Sequence, residues 1–362
     1  MTSAPNVMIL DSFSRLCNAE LGKDFQQRLE QGEFDAPLWG RIESLGLPGL
    51  LTDYGEALEA PQQTARAVAE LSGYCALPLP LVETLIAREA LARAGIEAPA
   101  GVLAIGVVDG MLSSDGDAAA PSVSGHAVVG WARHAEHLVV VVPSERGDVV
   151  ALIDRQATGL GIEASGNLAG EPRDRVGFEA VPCLHHAPLP GGIELVRLQA
   201  ARFRAALMVG ATEAALDLSV AYVRDRVQFG KPLGKFQAVQ QSLATAFGEL
   251  ASARSACALA FANRRPGWRT VAVAKMRADL AASLACNVAH QAHGAIGVTS
   301  EYPLHRHTRR LWSWRSENGS GASWARRLGR AFIAQGPDRL WPAITDMRLP
   351  PQGADAPTSP PN

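Results

Sequence analysis

The sequence predicts an α+β protein that is mostly helical, and three observations support this prediction. Apolar residues recur at helical spacing through the first hundred residues. From Val102 to Pro188 valine is frequent, and turn-forming residues recur at short intervals. From Glu194 to Phe332 the helical spacing returns. We therefore expect an N-terminal helical domain, a middle β domain and a C-terminal four-helix bundle.

The N-terminal domain is predicted to span residues 1–100. One helix is expected from Pro61 to Ser72 and another from Val82 to Ala94. Gly95 follows the second helix, and glycine is favoured just after a helix end because it adopts positive φ at little cost.

The middle domain is predicted to span residues 101–190 and to be antiparallel. Leu138–Val142 and Val149–Ile153 are short apolar runs bounded by turn-forming residues, which indicates strands. The pair His185-His186 is expected in a loop.

The third domain is predicted to span residues 191–345. Its first helix, expected from Gln199 to Arg226, carries small residues on several faces and so favours close packing inside a bundle. Two further helices are each predicted from an apolar stripe. The stripes are Phe236, Val239, Leu243, Ala246, Phe247 and Leu250, then Val273, Met276, Leu280, Leu284 and Val288. The tail, residues 346–362, is rich in proline and is expected to be disordered.

The composition argues against several classes of protein. The chain of 362 residues has 34 Lys and Arg against 36 Asp and Glu, and this near-neutral balance disfavours general nucleic-acid binding. The most apolar run, Ala205 to Tyr222, is interrupted by two carboxylates, which disfavours a membrane span. Five scattered cysteines without a Cys-x-x-Cys pair disfavour a zinc site and a disulfide framework. With no signal peptide recognised, we expect a cytoplasmic protein.

The strongest local signal runs from Arg226 to Gln237, where one predicted helix ends and the next begins. Its glycines and proline predict a turn between helices, with Arg226 as a cation at a helix C-terminus. A second signal runs from Gln291 to Pro303. There, glycines could end a helix or could let a ligand approach the backbone.

A third signal is a run of arginines with a single opposing carboxylate, Glu317. Such a run is usually a solvated helix face; the alternative is a phosphate-rich partner, because guanidinium groups bind phosphate in a bidentate way. The arginines are Arg306, Arg309, Arg310, Arg315, Arg326, Arg327 and Arg330.

Together these segments resemble the acyl-CoA dehydrogenase family. Arg226, Phe229 and Gly230 are similar to the family pattern Arg-x-x-Phe-Gly, and Gln237 stands seven residues past the Gly, as in the family. Residues 291–297 resemble the pattern Gln-x-x-Gly-Gly-x-Gly, and residues 299–303 resemble Thr-x-Glu-Tyr-Pro. The resemblance implies the three-domain fold given above.

The resemblance also implies FAD as the cofactor, bound across a subunit interface. The residues that it assigns to the pyrophosphate and adenosine of FAD are Arg226, Gln228, Phe229, Gln237, Gln291, Gly294 and Ala295. Chemistry agrees, because a diphosphate prefers a cation and backbone N–H groups that small residues leave accessible. Ala295 stands where the second glycine of the pattern is usual.

The chain departs from the family pattern in two places: the residues expected to face the flavin ring and the position of the catalytic base. Val128-Val129-Gly130 stands where the family has Trp-Ile-Thr, so the usual hydrogen-bond donors are missing. The family's catalytic Glu removes the α proton of the substrate while the flavin takes the β hydride. Its usual position, sixteen residues after Tyr302, is Asn318, and the position used by other members is Ala200. Glu317 is the nearest carboxylate, unless it only pairs with an arginine such as Arg315 or Arg310.

Two functions remain open from the sequence. In the first, the chain is a subunit of a heteromeric dehydrogenase of acyl-CoA thioesters, which contributes the FAD half-site to a second, similar chain. Some such heteromers act on sterol side chains in lipid metabolism. In the second, it is a self-sufficient acyl-CoA dehydrogenase that makes a 2,3-enoyl-CoA with Glu317 as the base. In either function the resemblance implies a dimer or tetramer, with electron-transfer flavoprotein as the acceptor.

Overall fold

The computed structural model describes residues 6–21, 33–52, 55, 57–113, 121–334 and 336–345. The chain divides into two compact units, residues 1–203 and residues 204–362, and the division falls inside one long helix. The predicted boundaries at residues 100 and 190 are not tested by this division and stay predictions. The proline-rich tail lies outside the described residues.

Among the described residues, the first unit begins with four helices: α1, Val7–Glu20; α2, Ala36–Ser44; α3, Pro61–Tyr74; and α4, Leu81–Arg93. Side chains cap two of them. The Asn6 side chain accepts a hydrogen bond from the Ile9 amide at 3.2 Å, and the Asp35 side chain accepts one from the Leu38 amide at 2.8 Å. Gly95 follows α4 with φ of 72°, as its position predicted.

The β part of the first unit consists of two four-stranded sheets. The strands are β1, Leu103–Val107; β2, Asp109–Ser113; β3, Ser122–Gly130; β4, His137–Val142; β5, Val149–Asp154; β6, Leu160–Glu163; β7, Arg173–Pro182; and β8, His185–Pro188. One sheet has the order β1-β4-β5-β8 and the other β2-β3-β7-β6. The two apolar runs predicted as strands are β4 and β5, paired antiparallel.

Two details of the predicted β domain are wrong. β1 and β4 pair in parallel, because the chain crosses to the other sheet through β2 and β3 before β4 returns beside β1. The side chains of β4 from Leu138 to Val142 are fully buried, as expected for an interior strand. His185 and His186 lie on β8 and pair with β5 rather than in a loop.

The long helix α5, Gly192–Asp225, begins seven residues before its predicted start and continues into the second unit. The other helices of that unit are α6, Gln237–Ala260; α7, Trp268–His293; α8, Leu304–Ser316; α9, Gly321–Ala334; and α10, Pro337–Thr345. α5 is the single described helix long and apolar enough to cross a membrane, but 67% of its most apolar window is buried in the protein, as in a core helix.

One of the two apolar stripes packs as predicted. On α6, Leu243, Ala246 and Leu250 are buried. On α7, however, Val273 is 39% exposed and Leu280 is 49% exposed. The buried side of α7 is formed mostly by small residues instead: Ala274, Ala278, Ala281, Ala282, Ala285 and Ala289. Small side chains let α6, α8 and α9 approach α7 closely, which leaves its larger side chains on the outside.

Candidate cofactor half-site and base position

The segment from Val227 to Pro232 forms a two-stranded hairpin of β9, Val227–Gln228, and β10, Lys231–Pro232. Phe229 has φ of 54° and Gly230 has φ of 79°, which is the pattern of a two-residue type I′ turn. The predicted simple helix–helix turn is therefore wrong. The hairpin places the Phe229 ring outward, 86% exposed, although a bulky side chain rarely adopts positive φ.

The segment from Gln291 to Val298 ends α7, as the glycines predicted. Gly294 follows the helix with φ of 62° and ψ of −141°, a backbone conformation open almost only to glycine. A short turn of 3₁₀-helix follows from Gly294 to Val298. The backbone at Gly294 and Ala295 is therefore turned away from the helix, with no side chain on Gly294 to cover it.

Both segments line one cleft of about 540 Å³ in the second unit. Five of the predicted cofactor residues line it: Arg226, Gln228, Gln291, Gly294 and Ala295. Phe229 and Gln237 do not. The Phe229 ring packs edge-on against Phe236, with ring centroids 6.1 Å apart, and Gln237 begins α6 on an exposed face.

Several residues of the cleft wall were not predicted as site residues from the sequence. Val239, Ser242 and Leu243 contribute from α6, and their helical spacing was the available signal. Tyr222 and His293 contribute aromatic surface, with ring centroids 4.5 Å apart.

His293 is buried, with only 4% of its surface exposed. Its Nδ1 lies 2.8 Å from the Ala289 carbonyl, and burial lowers the pKa of His293. A largely neutral imidazole therefore packs beneath the turn at Gly294.

The residues of the cleft fit one half of FAD. Arg226 is an exposed cation, Gln228 and Gln291 are amides, and the uncovered backbone at Gly294 permits close approach of a phosphate. The aliphatic side chains on α6 suit the planar faces of an adenine. These are the donor types that a diphosphate joined to an aromatic base requires.

The family's base position lies in the turn between α8 and α9. Asn318 has φ of 56°, and its carbonyl accepts a hydrogen bond from Trp324 Nε1 at 3.1 Å. The carboxylate of Glu317 is 3.0 Å from Arg204 Nη2 in an ion pair, and the side chains are 19% and 8% exposed, respectively. The predicted pairing of Glu317 with an arginine is thus present, but the arginine comes from α5.

Arg315, one of the two partners proposed for Glu317, forms an ion pair with Asp279, with Nε 2.6 Å from the carboxylate oxygen. Between these two ion pairs lies Lys275, which is fully buried. Its Nζ donates hydrogen bonds to the carbonyls of Trp314 and Arg315 at 2.9 and 3.0 Å, at the end of α8. The pKa of Lys275 is lowered to about 7, mainly by burial; Asp279 and Glu317 oppose this shift, and Arg204 and Arg315 add to it.

The arginine run divides between the interior and the surface. Arg310 is buried, and the Arg327 guanidinium lies 4.8 Å from the Trp268 ring centroid. Arg309, Arg326 and Arg330 are exposed. The run is therefore not one solvated helix face.

At the predicted flavin face, Val128 and Val129 lie near the end of β3. The Val128 side chain is 66% exposed and that of Val129 is buried. Neither valine side chain has a hydrogen-bond donor. Trp131 follows with φ of 64° and is buried. In the part of the chain that the structure describes, no group of three or more potential ligand residues could hold a metal ion.

The match to a known domain agrees with this geometry. Residues 192–332 match the acyl-CoA dehydrogenase C-terminal domain. This stretch of the chain includes the hairpin, the cleft and the turn at Asn318. Residues 192–332 of this chain therefore correspond to the C-terminal domain of acyl-CoA dehydrogenases. Acyl-CoA dehydrogenases are FAD-dependent flavoproteins that oxidise CH–CH bonds.

Two solved structures have the fold of the whole chain. A variant of the Tcur3481–Tcur3483 steroid ACAD matches with a TM-score of 0.78 and 25% identity, over 91% of this chain and 97% of that one. The ChsE4–ChsE5 complex of Mycobacterium tuberculosis matches with a TM-score of 0.82 and 21% identity, over 93% and 100%. The predicted fold of helical, β and helical parts is confirmed.

A sequence relative matches a shorter stretch of this chain. The acyl-CoA dehydrogenase IpdE2 of Mycolicibacterium smegmatis is 39% identical over 111 residues, which are 31% of this chain and 35% of IpdE2. The chain thus matches about a third of the length of this curated relative.

Proposed function

We propose that the chain is a subunit of a heteromeric acyl-CoA dehydrogenase, in which it contributes the adenosine and pyrophosphate half-site of FAD. One observation carries the proposal. The cleft brings five cofactor-type residues together, while the family's base position holds Asn318 and the neighbouring Glu317 is held by Arg204. A second, similar chain would then supply the base and the flavin face.

In this assignment Arg226 pairs with the pyrophosphate, because its guanidinium is exposed at the cleft and can form charge-assisted hydrogen bonds. Gln228 and Gln291 orient the nucleotide through their amides. The backbone at Gly294 and Ala295 approaches the phosphate, and His293 supports that turn from below. The chemistry that FAD supplies when bound is acceptance of hydride from the substrate.

The proposed substrate class is a bulky acyl-CoA thioester such as a steroid side chain. Support comes from the two solved structures, of which one is a steroid ACAD and each is named as a pair of chains. Electron-transfer flavoprotein is the proposed acceptor and the cytoplasm the proposed location.

A self-sufficient enzyme is the second candidate. It is favoured by the Glu317 side chain, which is 19% exposed and only one position from the family's base. The Arg204 ion pair argues against it, because a carboxylate paired with a cation is a weaker base.

The test measures bound FAD in the chain purified alone and with a co-expressed second acyl-CoA dehydrogenase-like chain. Arg226→Ala should lower FAD affinity at least tenfold, because a hydrogen bond to a charged group contributes about 1.5–3 kcal/mol. Arg224→Ala is the matched control, since Arg224 is exposed in the last turn of α5, two residues before Arg226, and does not line the cleft. Equal FAD retention in both variants would contradict the half-site. One FAD per chain together with dehydrogenase activity in the chain alone would favour the second candidate.

A further inference from the structure

The outer face of α6 is exposed to solvent and carries no charge. From Ala244 to Leu259 its exposed residues are Ala244, Thr245, Gly248, Ala251, Ser255 and Leu259, none of which is charged. α6 contains two charged residues, and both pair with neighbouring helices: Glu249 with Arg277 of α7, and Arg254 with Glu213 of α5. A helix face that meets water usually carries charged side chains. The absence of charge is instead typical of the centre of a protein–protein interface.

The neighbouring helix α7 adds large apolar side chains beside this face. Val273 and Leu280 are 39% and 49% exposed, and they lie on one side of α7 because they are seven residues apart. Arg277 lies between them on that side and pairs with Glu249, so the exposed sides of α6 and α7 adjoin. The six α6 residues, Val273, Leu280 and the Glu249–Arg277 pair are called the α6–α7 face below.

We propose that the α6–α7 face binds a second copy of this chain in a two-fold symmetric contact. Small side chains line α6, whereas larger apolar side chains protrude from α7. A two-fold rotation therefore brings the α7 side chains of each copy onto the α6 side chains of the other. Val273, Leu280 and Leu259, which is 52% exposed, then leave water on both copies, and this burial favours association.

Charge also favours a second copy over a highly charged partner. Residues 204–362 contain 20 Lys and Arg against 10 Asp and Glu, a net charge of +10, so two such units repel each other except across a neutral surface. The α6–α7 face is neutral, because its one carboxylate, Glu249, and its one cation, Arg277, are 28% and 31% exposed. In a two-fold contact Glu249 of each copy can approach Arg277 of the other, so the face is complementary to itself in charge.

The contact goes beyond the proposed function, because no residue of the α6–α7 face lines the cleft. The chain pairs with its copy whether or not a second, similar chain completes the FAD site. A heteromer built on this contact contains two copies of this chain.

The experiment measures the mass of the full-length chain, purified alone, by sedimentation velocity over a range of concentrations. We expect the wild type to be a dimer. Leu280→Arg and Ser255→Arg, one on each helix, should each raise the dissociation constant of the dimer at least a hundredfold, because the contact would bury an unpaired charge. Both positions are exposed in the single chain, so the temperature of unfolding should stay within a few degrees of the wild type.

Ile333→Arg is the matched control. It adds the same charge at a position of α9 that is 81% exposed and is not part of the α6–α7 face. This variant should dimerise as the wild type does. Dissociation of Ile333→Arg as well would show that net charge, and not the α6–α7 face, controls assembly, and would overturn the proposal.

Two further results would overturn it. One is a wild-type chain that is monomeric at every concentration, including one that binds a different acyl-CoA dehydrogenase-like chain through Leu280. The other is a dimer that persists in both Leu280→Arg and Ser255→Arg. The half-site is tested separately by FAD retention in Arg226→Ala, and Arg226 is not part of the α6–α7 face, so either proposal can fail without the other.

Discussion

Lys275 shows how a single residue can be fixed by groups that are distant in sequence. Its ammonium occupies the end of α8, where backbone carbonyls have no partner within the helix and the helix dipole is negative. The two ion pairs on either side offset part of the cost of burying a charge there. Lys275 and these two ion pairs lie at the end of α8, directly before the turn that carries Asn318.

The lowered pKa of Lys275 predicts that stability depends on pH. In the unfolded chain its pKa is about 10.5, and in the folded chain it is about 7. Between these values the unfolded state binds more protons, so the free energy of unfolding should rise with pH. We expect this rise between about pH 7 and about pH 8.5, below the ordinary pKa of the thiols.

Urea unfolding of the wild type and of Lys275→Met at several pH values measures this effect. The rise in the urea midpoint should be present in the wild type and much smaller in the variant. A variant with the same slope as the wild type would show that another group causes the dependence.

Glu317→Gln distinguishes a structural carboxylate from a catalytic one. If Glu317 serves mainly to pair with Arg204, the variant should lose about 1.5–3 kcal/mol of stability, as for a hydrogen bond between charged groups. Flavin reduction by acyl-CoA in the assembled heteromer should change only a few fold. Removal of a general base would instead lower the rate about 10²–10⁴-fold. A loss of that size, with FAD bound and the assembly intact, would favour the self-sufficient enzyme.

At the scale of elements, the proposed half-site depends on how two helices end. α5 ends in a hairpin whose turn places Phe229 at positive φ, and α7 ends at a conformation that only Gly294 tolerates. Both ends are strained or restricted, which is frequent where a backbone is shaped for a ligand.

Gly294→Ala tests the second helix end. An alanine at this φ and ψ should cost about 1–3 kcal/mol, and FAD retention should fall as the turn shifts. Gly248→Ala is the control, because Gly248 is exposed inside α6 with open space around it. That control should raise stability by about 0.5–1 kcal/mol and leave FAD retention unchanged. Similar behaviour of the two variants would contradict a special role for the turn.

At the scale of the whole molecule, charge is divided unevenly along the chain. Residues 1–203 contain 14 Lys and Arg against 26 Asp and Glu, whereas residues 204–362 contain 20 against 10. The unit with the cleft therefore has a net charge of +10, which attracts anionic phosphates to the half-site. The net charge of the whole chain, −2, does not reveal this uneven distribution.

We predict that the chain assembles as a dimer or tetramer, with itself or with a second chain. The large apolar side chains left exposed on α7, Val273 and Leu280, and the exposed Phe229 at the hairpin are suited to such contacts. If FAD bridges two chains, removing it should shift the assembly toward smaller species in sedimentation velocity, because a bound ligand stabilises the state it binds. A monomer at every concentration with FAD bound would contradict this prediction.

The sequence by itself predicted the kind of most helices and strands and, through the family resemblance, the residues proposed for the half-site. Periodicity of apolar residues predicted α6, α7, β4 and β5, because side-chain spacing is a local property of the backbone. The resemblance of the two glycine-containing motifs to the family pattern predicted five residues that line the cleft, and both motifs follow helix ends. These signals lie within short stretches of chain.

Only the tertiary structure decided which distant groups meet. The arginine beside Glu317 is Arg204, more than one hundred positions away, and no spacing rule connects them. The parallel pairing of β1 and β4 depends on the path of two intervening strands. The buried face of α7 is formed mostly by alanine side chains and not by the predicted stripe of larger apolar residues. Close helix packing favours small side chains where two backbones approach. Pairings between distant segments are set by the packing of the whole fold, and the local sequence does not encode them.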